Sequence, residues 1–262
     1  MNGSEIPAVV FGLGAAVSWG AGDFTGGLAS KRSSVYGVII FSQAFGAILL
    51  LAAAGWTGAA PPPVSDLGWG ACAGVCASLG LLALYRGLAE GSMGVVAPVA
   101  ALVTVSGPVV FGALFEGLPG PVRLAGFALA FVSIGMITRT GGGQHLSRRH
   151  LRLAVVAGLF FGAFFILMDH VADRGVIWPA LASRSASLAL LLTVATLSGQ
   201  ARRPPASQVP VALLTGLFET GGTLLFMLAT SAGRLDTAAT LASLYPAWQA
   251  ARSEPAAALH HV

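Results

Sequence analysis

The sequence is short of charge, cysteine and histidine, and each shortage removes a class of function. Only 9% of its 262 residues are Asp, Glu, Lys or Arg, against about a quarter in soluble domains. So few charges cannot cover a water-facing surface. The two cysteines, Cys72 and Cys76, are too few for a disulfide framework or a structural metal site and read as inert packing. The histidines His145, His150, His170, His260 and His261 fall in breaks, at the edge of an apolar run or in the tail, so neither a metal nor a cofactor is expected. Enzyme signatures are missing as well. Gly12-Leu13-Gly14 lacks the third glycine of a dinucleotide loop, Gly141 to Gly143 lacks the lysine of a phosphate loop, and neither HExxH nor GxSxG occurs. No enzyme is expected. The net charge of +4 and pI near 9.7 come from basic residues scattered between apolar runs. Anionic lipid and topology signals explain that scatter better than nucleic acid does.

What the chain has is apolar length: 55% of it is hydrophobic and its mean hydropathy is +0.81. A hydrocarbon core about 30 Å thick needs about 20 helical residues. Runs of that kind lie near 6–29, 35–54, 67–88, 95–115, 122–138, 153–171, 178–197 and 209–230, and a ninth starts near Asp236. The stretch from Met1 to Pro7 has no basic n-region, so the first run reads as a retained span. Backbone groups facing lipid cannot go unpaired, so the runs are assigned as helices and the fold class as all-α, a polytopic membrane bundle.

The chain also matches itself at an offset of 142 residues. Gly20 falls on Gly162, Pro62-Pro63 on Pro204-Pro205, Gly74 on Gly216, Gly80 on Gly222 and Gly91 on Gly233. Two copies of one unit are implied, a mark of many secondary transporters. The first copy is assigned to 1–138 and the second to 153–262, joined by a basic linker at 139–152. Five spans precede the linker, so the second copy enters the membrane from the opposite side. The expected product is an inverted pair with a site near the midplane.

The residues that fill this frame resemble a known family. They are Ser18-Trp19-Gly20 with Phe24, Tyr85-Arg86-Gly87-Leu88-Ala89, Val95-Val96-Ala97-Pro98, Glu116-x-Leu118 before Gly126 and Gly135, and the run from Asp236 to Pro246. In that order and spacing they resemble the bacterial drug/metabolite transporter superfamily, specifically its ten-helix members built from two EamA units. The resemblance implies a multi-pass protein of the bacterial plasma membrane that exports or imports amino acids, other metabolites or drugs. The pattern departs after Pro246: the counterpart of Glu116 is Ala258, and the counterpart of span five would fall past residue 262. Eight or nine of ten expected spans are therefore read as present, as after a frameshift, a premature stop or an error in the gene model. A homodimer would supply the surface that the absent helices leave open.

Charges inside the membrane mark candidate sites, because an ionised side chain near the bilayer centre costs at least about 2.5–3.5 kcal/mol. Glu219, Asp23, Arg184 and Arg86 qualify, with Gln43 as a neutral companion and Trp19 as an aromatic wall. By the offset, Asp23 corresponds to Phe165, Arg184 to Ser42, Glu219 to Ala77 and Arg86 to Leu228. All four charges break the internal symmetry, which the scaffold needs and cargo recognition does not. Each has a plainer reading beside the functional one. Arg86 reaches headgroups from a helix end, Asp23 bonds to nearby hydroxyls, Arg184 and Glu219 neutralise each other, and Trp19 packs.

Orientation is left open, since the basic loop residues favour an external N-terminus whereas the family resemblance implies a cytoplasmic one. The function expected is secondary transport of a small-molecule cargo by alternating access within membrane lipids. The alternatives are a non-transporting remnant or scaffold of the same family and, more remotely, an intramembrane enzyme acting on lipid.

Overall fold

A computed structural model describes residues 5–90, 93–115, 148–233 and 237–242, with isolated positions between 121 and 132. The helices are α1 (Glu5–Ser30), α2 (Val35–Thr57), α3 (Val64–Glu90), α4 (Met93–Phe115), α5 (Arg148–Ala172), α6 (Ile177–Leu197) and α7 (Val209–Ala232). Residues 237–242 are helical too, and no strand occurs among the described residues. Among the described residues, seven helices are long and apolar enough to cross a membrane. The chain is a multi-pass integral membrane protein. Most of the fifth expected span, the linker before Arg148 and everything after Ala242, including the departure at Pro246, lie outside the described residues.

The helices run further than the apolar stretches that announced them. Helix α3 begins at Val64 rather than 67, directly behind Pro61-Pro62-Pro63, because proline sets the entry to a helix while blocking its interior. Helix α5 begins at Arg148 rather than 153. Its first turn carries Arg148, Arg149 and Arg152, all exposed, and Arg149 holds Glu90 of α3 at 2.9 Å. Hydropathy ends where charge begins, whereas the helix continues through the charged turn.

Polarity is distributed as a bilayer requires. Large apolar side chains such as Val10, Val17, Ile48, Leu114, Leu159 and Leu217 point outward, while Gln43, Ser78, Arg184, Ser187, Thr215 and Glu219 are buried. In lipid the outer face needs no polar groups, and the interior polar groups must find one another.

Helix α1 packs along α7 and its offset equivalent α5 packs along α3, while α2 meets its own equivalent, α6. Residues 237–242 lie beside α1, where Gly12 faces Leu241 and the Ala238 carbonyl, as the equivalent α4 lies beside α5. The repetition extends to single contacts. Trp19 of α1 lies against Gly222 of α7, and Phe161, the residue equivalent to Trp19, lies against Gly80, the residue equivalent to Gly222. The glycines are needed there because a Cβ at either would stand within 2.5–2.7 Å of the facing ring. A two-fold relation between the copies accounts for both contacts at once.

Two apolar clusters cap this arrangement. One gathers Tyr36, Ile39, Leu84, Leu88, Val96 and Leu191. The other gathers Leu50, Phe164, Phe165, Met168, Leu181 and Phe226. At the seam where the copies meet, the buried side chains include the polar Gln43, Ser183, Arg184, Glu219 and Thr223.

Candidate functional site

That seam holds a cavity with about 780 Å³ of atom-free space, counting its open side. Helices of both copies build it. Trp19 and Asp23 come from α1, Gln43 from α2, Ala77, Leu81 and Leu84 from α3, Thr104 from α4, Phe161, Phe164 and Phe165 from α5, Ser183 and Arg184 from α6, and Glu219 and Thr223 from α7. Five of the six candidates named from the sequence thus meet at one place.

Arg184 is fixed by two bonds and reaches across the seam with one of them. Its Nη1 donates to Gln43 Oε1 of α2 at 2.6 Å, and its Nη2 to Thr223 Oγ1 of α7 at 3.0 Å. The planar fork suits this double use, which a lysine could not copy. Thr223 in turn donates to the Glu219 carbonyl, 2.9 Å away. The ion pair between Arg184 and Glu219 entertained from the sequence is not formed; neutral partners hold the guanidinium, leaving remaining donors for the cavity.

Glu219 sits against Gly22, where a Cβ would lie 2.9 Å from its Oε1, and accepts a hydrogen bond from the Tyr85 hydroxyl at 3.4 Å. Tyr85 is itself seated on Gly26, whose missing side chain makes room for the ring. Asp23 lies one helical turn before Gly26, and no hydrogen bond to a hydroxyl holds it among the described residues. Two carboxylates and one guanidinium therefore line a single cavity.

The aromatic wall is stacked. Trp19 and Phe165 lie with centroids 5.2 Å apart and planes at 22°, and Phe165 continues onto Phe226 at 4.5 Å and 23°. Each such pair contributes about 0.5–1.5 kcal/mol beyond burial. Trp19 therefore both packs and lines the cavity.

Arg86 is the exception. It belongs to the helical part of α3 rather than a loop, donates to the Tyr36 hydroxyl at 2.5 Å and lies over that ring, 5.3 Å from its centroid. It is not among the cavity's lining residues. Near the end of its helix, the guanidinium found an aromatic partner in place of cargo or headgroup.

Sequence reasoning passed over Tyr85, Thr223 and the phenylalanines of α5. Thr223 was legible as the residue one turn after Glu219 on the same helix face, opposite an apolar Leu81 in the other copy. Tyr85 was overshadowed by the charge beside it. The phenylalanines carried no signal, since an aromatic in an apolar span looks the same facing lipid or cavity.

Comparison with known proteins bears on the fold and on the family. No curated protein shows a match to this chain. A solved structure whose description reads only "Crystal structure of protein" superposes with a TM-score of 0.73 at 16% identity, covering 97% of this chain and 91% of that one. At that identity the likeness concerns the fold alone. The EamA-like transporter family matches residues 6–139, just over half of the chain, including Trp19, Asp23 and Gln43 but neither Arg184 nor Glu219. This apolar helical bundle, whose cavity walls carry Asp23, Arg184 and Glu219, belongs to the EamA-like transporter family.

Proposed function

We propose that the protein is a secondary carrier that moves a small solute through this cavity by alternating access, the two copies forming an inverted pair that rocks around the site. The observation that supports this most is the convergence of Asp23, Gln43, Arg184 and Glu219, drawn from both copies, on one space walled by Trp19 and Phe165. Charges at mid-membrane are costly unless they serve a pathway, and here they border a cavity rather than lipid.

The roles follow from the bonding. Arg184, held rigid by Gln43 and Thr223, meets an anionic group of the cargo such as a carboxylate. Glu219 or Asp23 takes up and releases a coupling proton, and Trp19 with Phe165 offers an apolar platform to the remainder. The setting consistent with the family is the bacterial plasma membrane, with lipid as the surrounding partner.

Reconstitution into vesicles with an imposed proton gradient tests this reading. Uptake or efflux of a solute from a panel of amino acids, toxic analogues and cationic drugs, lost in Arg184→Gln, is the expected result. A properly inserted chain that moves none of the panel under any gradient would favour the non-transporting scaffold instead.

A further inference from the structure

At one end of the bundle the copies are tied together by polar bonds whose two-fold equivalents at the other end are missing. Asp66, in the first turn of α3, is fully buried, and its Oδ1 receives Arg174 Nη1 at 2.6 Å. Arg174 belongs to the turn between α5 and α6, in the other copy. Beside this pair, Trp178 Nε1 of α6 donates to the Ala59 carbonyl at 2.8 Å. The α2–α3 connection of one copy is thus strapped to the α5–α6 connection of the other, at two points.

The offset of 142 places Gln208 where Asp66 would be, Arg32 where Arg174 would be and Tyr36 where Trp178 would be. Gln208 carries no charge to hold Arg32. Tyr36 bonds Arg86, a residue of its own copy. The ion pair that joins the copies at that other end, Arg149 with Glu90, is open to water on both sides, with side chains 71% and 38% exposed. Exposed pairs of that kind contribute little. Asp66 differs in being 0% exposed. A carboxylate sealed under protein and deprived of its one cation is strongly disfavoured.

We propose that Asp66 and Arg174 form a one-ended latch, which holds the cavity shut at their face of the membrane and must part in each transport cycle. The inference rests on the alternating-access reading and adds to it two positioning residues outside the cavity. At the opposite end the exposed Arg149–Glu90 pair parts into water without stranding a buried charge, so the buried pair sets which way the resting carrier faces.

The test is side-specific labelling of a cavity cysteine. Ala77, which lines the cavity, is replaced by cysteine in a Cys72→Ser, Cys76→Ser background. A membrane-impermeant maleimide is then applied to right-side-out and inside-out vesicles. Asp66→Asn, Arg174→Gln and the double variant, which removes both charges without stranding either, should raise labelling from the Asp66 face relative to the other by about threefold or more, a modest shift because Arg174 is half exposed. Arg174→Lys should stay close to the parent. Labelling from both faces with a ratio unmoved in the double variant would overturn the latch and leave alternating access standing. Labelling from one face alone, in the parent and every variant, would overturn alternating access and the latch with it. If Asp66→Asn does not insert, the double variant and Arg174→Gln decide.

Discussion

Adding one carbon at Gly74 should separate the two copies. A Cβ there would meet the backbone of Ser183 in α6, at 2.7 Å from its carbonyl carbon and 2.8 Å from its Cα, with the carbonyl oxygen nearer still. Backbone cannot swing aside as a side-chain tip does, so α3 and α6 must move apart. Carbon atoms settle at about 3.5–4.0 Å, which calls for a displacement on the order of 1 Å along a seam that also positions Ala77 and Arg184. Overpacking of this kind costs about 1–3 kcal/mol, and alanine's better helix propensity returns about 1 kcal/mol. The upper part of the overpacking range applies because the obstacle is main chain, giving a net loss of about 1–2 kcal/mol for Gly74→Ala. Gly216→Ala, its two-fold mate, faces the Ser42 carbonyl oxygen at 2.5 Å and should behave alike. Gly68, also in α3, has nothing within 4 Å, so Gly68→Ala should be neutral or stabilising. Thermal unfolding of purified protein in detergent, followed by size-exclusion with fluorescence detection, reads all three. A Tm for Gly74→Ala at or above that of Gly68→Ala would refute the reasoning, since it would mean the copies do not touch there.

Further outcomes follow from the site. Arg184→Lys should insert normally yet lose most transport, because a single ammonium cannot span Gln43 and Thr223 while facing cargo; rescue to near parental rates would show that charge alone suffices. Glu219→Gln keeps the hydrogen bond from Tyr85 and removes the charge, so solute exchange should survive while gradient-driven accumulation in vesicles is lost, and accumulation at the parental level would move the proton role to Asp23. Trp19→Ala removes the ring stacked between Gly222 and Phe165 and should cost about 3–5 kcal/mol of stability, visible in the same unfolding assay. Arg86→Gln should leave transport of the identified solute within about twofold, since Arg86 holds Tyr36 outside the cavity; a complete loss would place Arg86 in the pathway after all.

Membrane class and helix number over the described segments were legible in the sequence, for a physical reason. Lipid forbids unpaired backbone, so apolar length alone specifies helices at α1 to α7, and duplication leaves glycines and prolines in register. The same reasoning reached Asp23, Gln43, Arg184, Glu219 and Trp19, because a polar or bulky residue in one copy only stands out against its mate. Charge and asymmetry did not reveal direction. Arg86 carries the same charge as Arg184 in a similar apolar setting, and only the packing of α3 beside α2 turns it toward Tyr36. Asp66 falls in the sequence between the apolar runs at 35–54 and 67–88, behind Pro61-Pro62-Pro63, and its burial depends on Arg174 arriving from 108 positions away. Where a side chain points is set by which helices become neighbours. That is decided by contacts such as Trp19 on Gly222 and Gly74 on Ser183, whose partners lie far apart in the chain and meet only in the folded bundle.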